Sequence, residues 1–110
     1  MPLEIPLKEE ITNISCEIIA LAGSAKSAFI ESIRAAKDGD LNKAKELFDI
    51  GSGQFLQAHE IHANLIKRFA DGDEIEMNIL LVHAECLLTS AEDFKVISRE
   101  IVEFAERNKK

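Results

Sequence analysis

Three histidines, His59, His62 and His83, and two cysteines, Cys16 and Cys86, carry the side chains best suited to covalent or metal chemistry near neutral pH. A histidine with its ordinary pKa of about 6.5 can act as nucleophile, proton shuttle or ligand there. His59 and His62 stand three apart, the spacing of a metal half-site on a helix. No H-E-x-x-H pattern and no obvious third ligand accompanies them, so a solvated or hydrogen-bonded pair is the simpler reading. Cys16 and Cys86 form no C-x-x-C motif and read as free thiols rather than a disulfide framework. His83 differs because it lies in the most apolar stretch of the chain, where an imidazole needs a hydrogen-bond partner or a task. The pattern alone leaves two readings open for it, a satisfied interface histidine or a functional one.

The elements that must position these side chains are helical. Apolar residues recur three and four apart almost throughout, and β-branched residues never alternate over a strand-length run. Breaks fall at Lys37-Asp38-Gly39-Asp40 and Asp71-Gly72-Asp73, each offering a glycine for a left-handed C′ position and an aspartate for the next N-cap. The expectation is an all-α, antiparallel three-helix up-down-up bundle with helices near 8–36, 41–70 and 75–107. Helix one presents Ile11, Ile14, Ile18, Leu21, Ala22, Ala25, Ala28, Phe29 and Ile33 as a packed face, with Gly23 permitting close approach. Helix two presents Leu41, Ala44, Leu47, Phe48, Phe55, Ala58, Ile61, Leu65 and Phe69, and its Gly51-Ser52-Gly53 predicts a bend or local fray. In helix three, Leu80, Ala84, Leu87, Ala91, Phe94, Ser98, Ile101 and Ala105 keep the 4-3 spacing of a bundle seam. Between positions 77 and 91 its other faces are apolar too, with Ile79, Leu81, Val82, Cys86 and Leu88 leaving Glu85 as the one charge. A helix apolar all round must be covered all round, and two partner helices leave part of that girdle wet, so the pattern predicts a homo-oligomer.

Composition narrows the function classes. The chain's 110 residues, 46% of them apolar, suit one domain spanning 1–110. Twenty acidic against 13 basic residues give a net charge of −7, which removes the phosphate-neutralising drive toward nucleic acid or anionic membrane. The same acidity would attract a basic protein patch. No signal-peptide pattern and no apolar run of about 20 residues is present, so a cytoplasmic protein without membrane insertion is expected. With no Trp, no Tyr and six Phe, stacking platforms for bases or sugar rings are few.

Asn78-Ile79-Leu80-Leu81-Val82-His83-Ala84 resembles the "LLLVHA" helix of the lactose/cellobiose-type (also diacetylchitobiose) IIA component of the bacterial phosphoenolpyruvate-dependent sugar phosphotransferase system. Ile14-Ser15-Cys16-Glu17-Ile18-Ile19-Ala20-Leu21-Ala22-Gly23 is similar to that family's "IS-x-EII-x-x-AG" opening, and Ala35-Ala36-Lys37-Asp38-Gly39-Asp40 resembles its first turn. Ala58-His59-Glu60-Ile61 through Leu65-Ile66 resembles its "AH-x-I-x-x-x-LI". The segments cover nearly the whole chain in order. The resemblance implies a homotrimer with a nine-helix core and His83 as the phosphorylated nucleophile near a cleft between subunits. It implies a phosphoryl carrier that works only with enzyme I, HPr, IIB and IIC. HPr would be the donor and a IIB cysteine the acceptor, during uptake of a β-linked disaccharide such as lactose, cellobiose or chitobiose. The imidazole must be neutral to attack, with its second nitrogen held by an acceptor, and water must be kept from the phosphoramidate. A helix interior offers no free N–H, so phosphate stabilisation is expected from a neighbouring subunit or the partner protein.

Three positions depart from the family's "HAQDHLM". Glu85 replaces a glutamine, and a carboxylate there repels an incoming phosphoryl group unless it is protonated or turned away. Cys86 stands where the resemblance implies an aspartate at the trimer axis, and Leu87 where it implies a second histidine. A hard divalent cation wants oxygen ligands, which weakens the expectation of an axial metal. Cys86 reads first as a small apolar residue and second as a soft-ion ligand for Zn²⁺ if three copies converge. A different class stays open: a non-catalytic or regulatory trimeric scaffold derived from this family. A two-component phosphotransfer domain fits less well, because Ala84 and Glu85 replace the small-residue, Lys-Gly continuation such domains carry.

Overall fold

A computed structural model describes residues 7–109. Within them the chain forms three α-helices, α1 Leu7–Lys37, α2 Leu41–Ala70 and α3 Ile79–Arg107, and no strand. The molecule is a rod of 62 × 26 × 21 Å.

The first break is as the sequence predicts. Gly39 takes φ 81°, its N–H bonds the Ala36 carbonyl at 3.1 Å, and Asp40 N–H bonds the Ala35 carbonyl at 2.9 Å, a Schellman closure. The Asp40 carboxylate then accepts from Lys43 N–H at 3.2 Å and caps α2. Gly72, at φ 110°, closes α2 in the same way.

The start of α3 is where expectation and structure part. Asp73 does not cap a helix; its carboxylate accepts from Arg68 Nε at 3.0 Å, and Arg68 also donates to Glu10 at 2.7 Å, tying the turn to the first turns of α1. Residues 73–78 run without helix, and Asn78 caps α3 instead, its backbone extended and its side chain accepting from Leu81 N–H at 2.9 Å. The reason lies in Ile75 and Met77. In an irregular, extended segment alternate residues share a side, and these two line one cavity while Glu74 and Glu76 stay in water.

The core runs the length of the rod. Its centre joins Ile18, Ala22, Ala25 and Phe29 of α1 to Phe55 and Ala58 of α2 and to Ala84, Leu88 and Ala91 of α3. One end is closed by Ala35, Ala36, Ala44 and Val102, the other by Ile11, Leu65 and Leu81. So many alanines bring the backbones close, and α1 packs along both other helices. The expected 4-3 seam of α3 is buried or half-buried at every position, and Leu81, Leu88 and Val102 widen it toward α2.

Two expectations about α2 change. The helix does not fray at Gly51-Ser52-Gly53; α2 is continuous, and Gly51 is a packing seat, since a Cβ there would lie 2.8 Å from Phe29 Cε1 and 3.2 Å from the Ala25 carbonyl. Phe69, expected inside, is 64% exposed, because α3 begins late and leaves the last turn of α2 with no turn of α3 opposite it.

The seam between α2 and α3 is the loosest of the three. Polar and cation–π bridges span it: Lys95 over Phe55, Arg99 over Phe48, Lys45 to Glu106 at 2.8 Å, and His62 to Glu85. Each is worth about 0.5–1 kcal/mol at most where solvent reaches it.

Candidate functional site

The site is built on the first three turns of α3. Because Asn78 starts the helix, His83 lies in its second turn, and His83 is exposed. Of the four N–H groups that a helix start leaves open, the Asn78 side chain satisfies that of Leu81, while the Asn78 carbonyl accepts the first helical bond, from Val82 N–H. Those of Ile79 and Leu80 remain as donors, one turn below His83. Helical side chains lean toward the N-terminus, so the side chain at 83 covers the surface of that first turn. A dianion on it would gain of the order of 0.3–1 kcal/mol from the helix dipole. The expectation that His83 sits in a helix interior far from any free N–H is overturned by the late start of α3.

The neighbouring positions fan out around the helix. Glu85 is turned away from His83, about 200° around the axis, and faces α2, where His62 Nε2 meets its Oε2 at 2.8 Å. An ionised carboxylate only accepts, so the ring nitrogen donates. This is one of the two escapes foreseen for a carboxylate beside the active position. Cys86, one turn above His83, is exposed on the outward side of α3, and Leu87 is half-buried toward α1, its Cδ2 3.7 Å from where a Cβ at Gly23 would stand. That is ordinary contact, so Gly23 is not required there for close approach.

The pair His59 and His62 is split. His59 stacks on Phe55, rings 5.9 Å apart, while His62, with 17% of its side chain exposed, turns to Glu85. His62 is the residue that reading the sequence undervalued. Its partner is 23 positions away on another helix, and no local spacing announces it. Below the His62–Glu85 pair, toward the start of α3, a cavity of about 230 Å³ opens between α2 and α3, lined by Leu65, Ile66, Phe69, Ile75, Met77 and Leu81 as well as the pair itself.

Cys16 and Cys86 are free thiols, both exposed. Among the described residues no three His, Cys, Asp or Glu side chains gather as a metal site within one chain. The donor set at position 86 is a thiol, which does not fit the hard cation an aspartate there would hold. No described helix is long and apolar enough to cross a membrane.

The outward face of the first turns of α3 is apolar and uncovered, with Ile79 85% exposed, Val82 46% and Cys86 exposed; further along, exposed Asp93 and Glu100 share that face with Ile97 and Phe104. This is the wet part of the girdle that the sequence predicts for a three-helix subunit standing alone.

Residues 13–106 match the family described as the PTS system lactose/cellobiose-specific IIA subunit. The chain is 32% identical over 100 residues to the lactose-specific EIIA component of Staphylococcus aureus strain N315, covering 91% of this chain and 97% of that protein. It is 34% identical over 101 residues to the lichenan-specific phosphotransferase enzyme IIA component of Bacillus subtilis strain 168, covering 92% of each. The crystal structure of the cellobiose-specific enzyme IIA from Bacillus anthracis superposes with a TM-score of 0.84 at 25% identity, covering 96% of this chain and 93% of that one. The helix that carries His83, the bundle that presents it and these similarities agree, and the chain belongs to the lactose/cellobiose-specific IIA family of the sugar phosphotransferase system.

Proposed function

We propose that His83 is the phosphoryl-carrying residue of this IIA component, loaded by HPr and unloaded onto a cysteine of IIB for uptake of a β-linked disaccharide such as lactose, cellobiose or chitobiose. The supporting observation is an exposed imidazole one turn inside a capped helix N-terminus, in the stretch that resembles the family's phosphorylated motif. A ring nitrogen of neutral His83 forms the new bond to phosphorus as the donor's bond to it breaks. In the onward step a thiolate sulfur attacks and the His83 nitrogen leaves. Three copies around the outward stripe of α3 would cover Ile79 and Val82 and exclude water from the phosphoramidate. With Cys86 in that stripe, no axial divalent cation is part of the proposal.

Incubation with phosphoenolpyruvate, enzyme I and HPr is the test. The parent is expected to gain an acid-labile, alkali-stable phosphate and His83→Ala none. An intact oligomer that takes no phosphate from several donors would instead support the scaffold reading, for which the substitutions at positions 85, 86 and 87 speak.

A further inference from the structure

Two N-caps compete for the start of α3. Asp73-Glu74-Ile75-Glu76 places an aspartate three residues before a glutamate, the pattern of a capping box, with both glutamates in what would be the first turn. Ile75, Ile79 and Val82 then follow at helical spacing. The structure nevertheless begins α3 at Ile79, with Asn78 as its cap. What keeps Asp73 from that task is Arg68, in the last turn of α2. Its Nε donates to Asp73 Oδ2 at 3.0 Å, and its Nη1 and Nη2 donate to the two carboxylate oxygens of Glu10 at 2.7 and 3.3 Å. One guanidinium, its side chain 26% exposed, thus ties the end of α2, the connection after it and the first turn of α1. It commits to itself the carboxylate that an N-cap would turn onto the N–H groups of residues 75 and 76.

The two starts differ in what lies beneath His83. With α3 begun at Asn78, the N–H groups of Ile79 and Leu80 stay open one turn below it. A start at Asp73 would pair them with the carbonyls of Ile75 and Glu76, four residues back. It would also carry the positive end of the helix five residues, about 7.5 Å, away. We infer that Arg68 is a positioning residue for phosphoryl loading: by holding Asp73 it fixes the start of α3 at Asn78 and keeps the open helix end beneath His83. This rests on the carrier reading. Arg68 acts only through the register of residues 73–78; the bond to phosphorus forms on His83. Ile75 and Met77, seated in the cavity between α2 and α3, favour the same start. Arg68 does not line that cavity, so a substitution there removes the tie without emptying it.

Amide hydrogen exchange separates this from a merely structural role, because losing a tie loosens a helix, whereas a new register protects amides that were open. Arg68→Met keeps the aliphatic stem and removes the bonds to Asp73 and Glu10. In this variant the amides of Ile79 and Leu80 are expected to exchange more slowly than in the parent. The equilibrium constant for transfer from phosphorylated HPr is expected to fall about 2–5-fold, the share a helix N-terminus contributes to a nearby anion. Adding Asp73→Ala removes the competing cap and should return both readings to those of the parent. Glu10→Gln, which leaves the Asp73 bond in place, should change neither. If circular dichroism shows that Arg68→Met has lost helix, Asp73→Asn takes its place, since it weakens the tie and keeps a capping side chain. Amides at 79 and 80 that exchange as fast as in the parent, or that gain protection while transfer is unchanged, overturn the inference, and a phosphorylated parent leaves the carrier reading standing. A parent that takes no phosphate overturns both.

Discussion

At the residue scale, what distinguishes His83 is not its own surroundings but where the helix beneath it begins. Asn78 sets that start by capping the Leu81 amide with its side chain and accepting the first helical bond, from Val82 N–H, on its carbonyl. Asn78→Ala removes the side-chain cap and should cost about 1 kcal/mol, read as a lower urea midpoint at unchanged slope. Because only the side-chain bond is lost, the same variant should still be phosphorylated. The two residues were legible to different degrees. His83 stands out in the sequence, by its apolar setting and by its motif. The cap did not, because Asp73 offers the same chemistry five residues earlier, and what decides between them is tertiary: Arg68 takes the Asp73 carboxylate while Ile75 and Met77 line the cavity beside α2. The His62–Glu85 pair was less legible still, since it depends on how two helices are rotated against each other.

At the element scale, α2 and α3 show where helical patterning informs and where it misleads. Ile75 precedes Ile79 by four and Val82 by seven, the spacing of one helix face, so the sequence extends α3 back to 75. The alternation of Ile75 and Met77 with Glu74 and Glu76 fits an extended run equally well, and the apolar cavity beside α2 takes the two apolar side chains. The glycines of α2 are alike in sequence and opposite in consequence. Gly53 has nothing within 4 Å of a new Cβ, so Gly53→Ala should stabilise by about 0.5–1 kcal/mol through helix propensity. Gly51→Ala would drive a methyl into the Phe29 ring and the Ala25 carbonyl and should destabilise by about 1–3 kcal/mol despite the same propensity gain. Thermal unfolding of the two variants side by side checks both signs. The bends at Gly39 and Gly72, by contrast, were legible because positive φ and a following carboxylate are local demands met by local residues.

At the scale of the whole molecule, the assembly proposed for transfer covers the exposed stripe of Ile79, Val82 and Cys86 with copies of the chain. Val82→Glu would bury an uncompensated carboxylate there, at about 3–5 kcal/mol per copy, and should shift the protein to monomer by sedimentation equilibrium while leaving its helix content intact. A variant that stays assembled would show that the copies meet elsewhere. The sequence could say that α3 needed more company than two helices provide. The number and arrangement of copies lie beyond it, because they depend on how the stripe's two flanks fit one another. The central claim concerns one atom group in this assembly, and the most direct test is to map the phosphate after transfer from phosphoenolpyruvate through enzyme I and HPr, by peptide mass spectrometry kept at alkaline pH. One phosphoryl group on the peptide that contains His83, with those containing His59 and His62 unmodified, is the predicted result; phosphate on either of those two histidines, or on none, would contradict it.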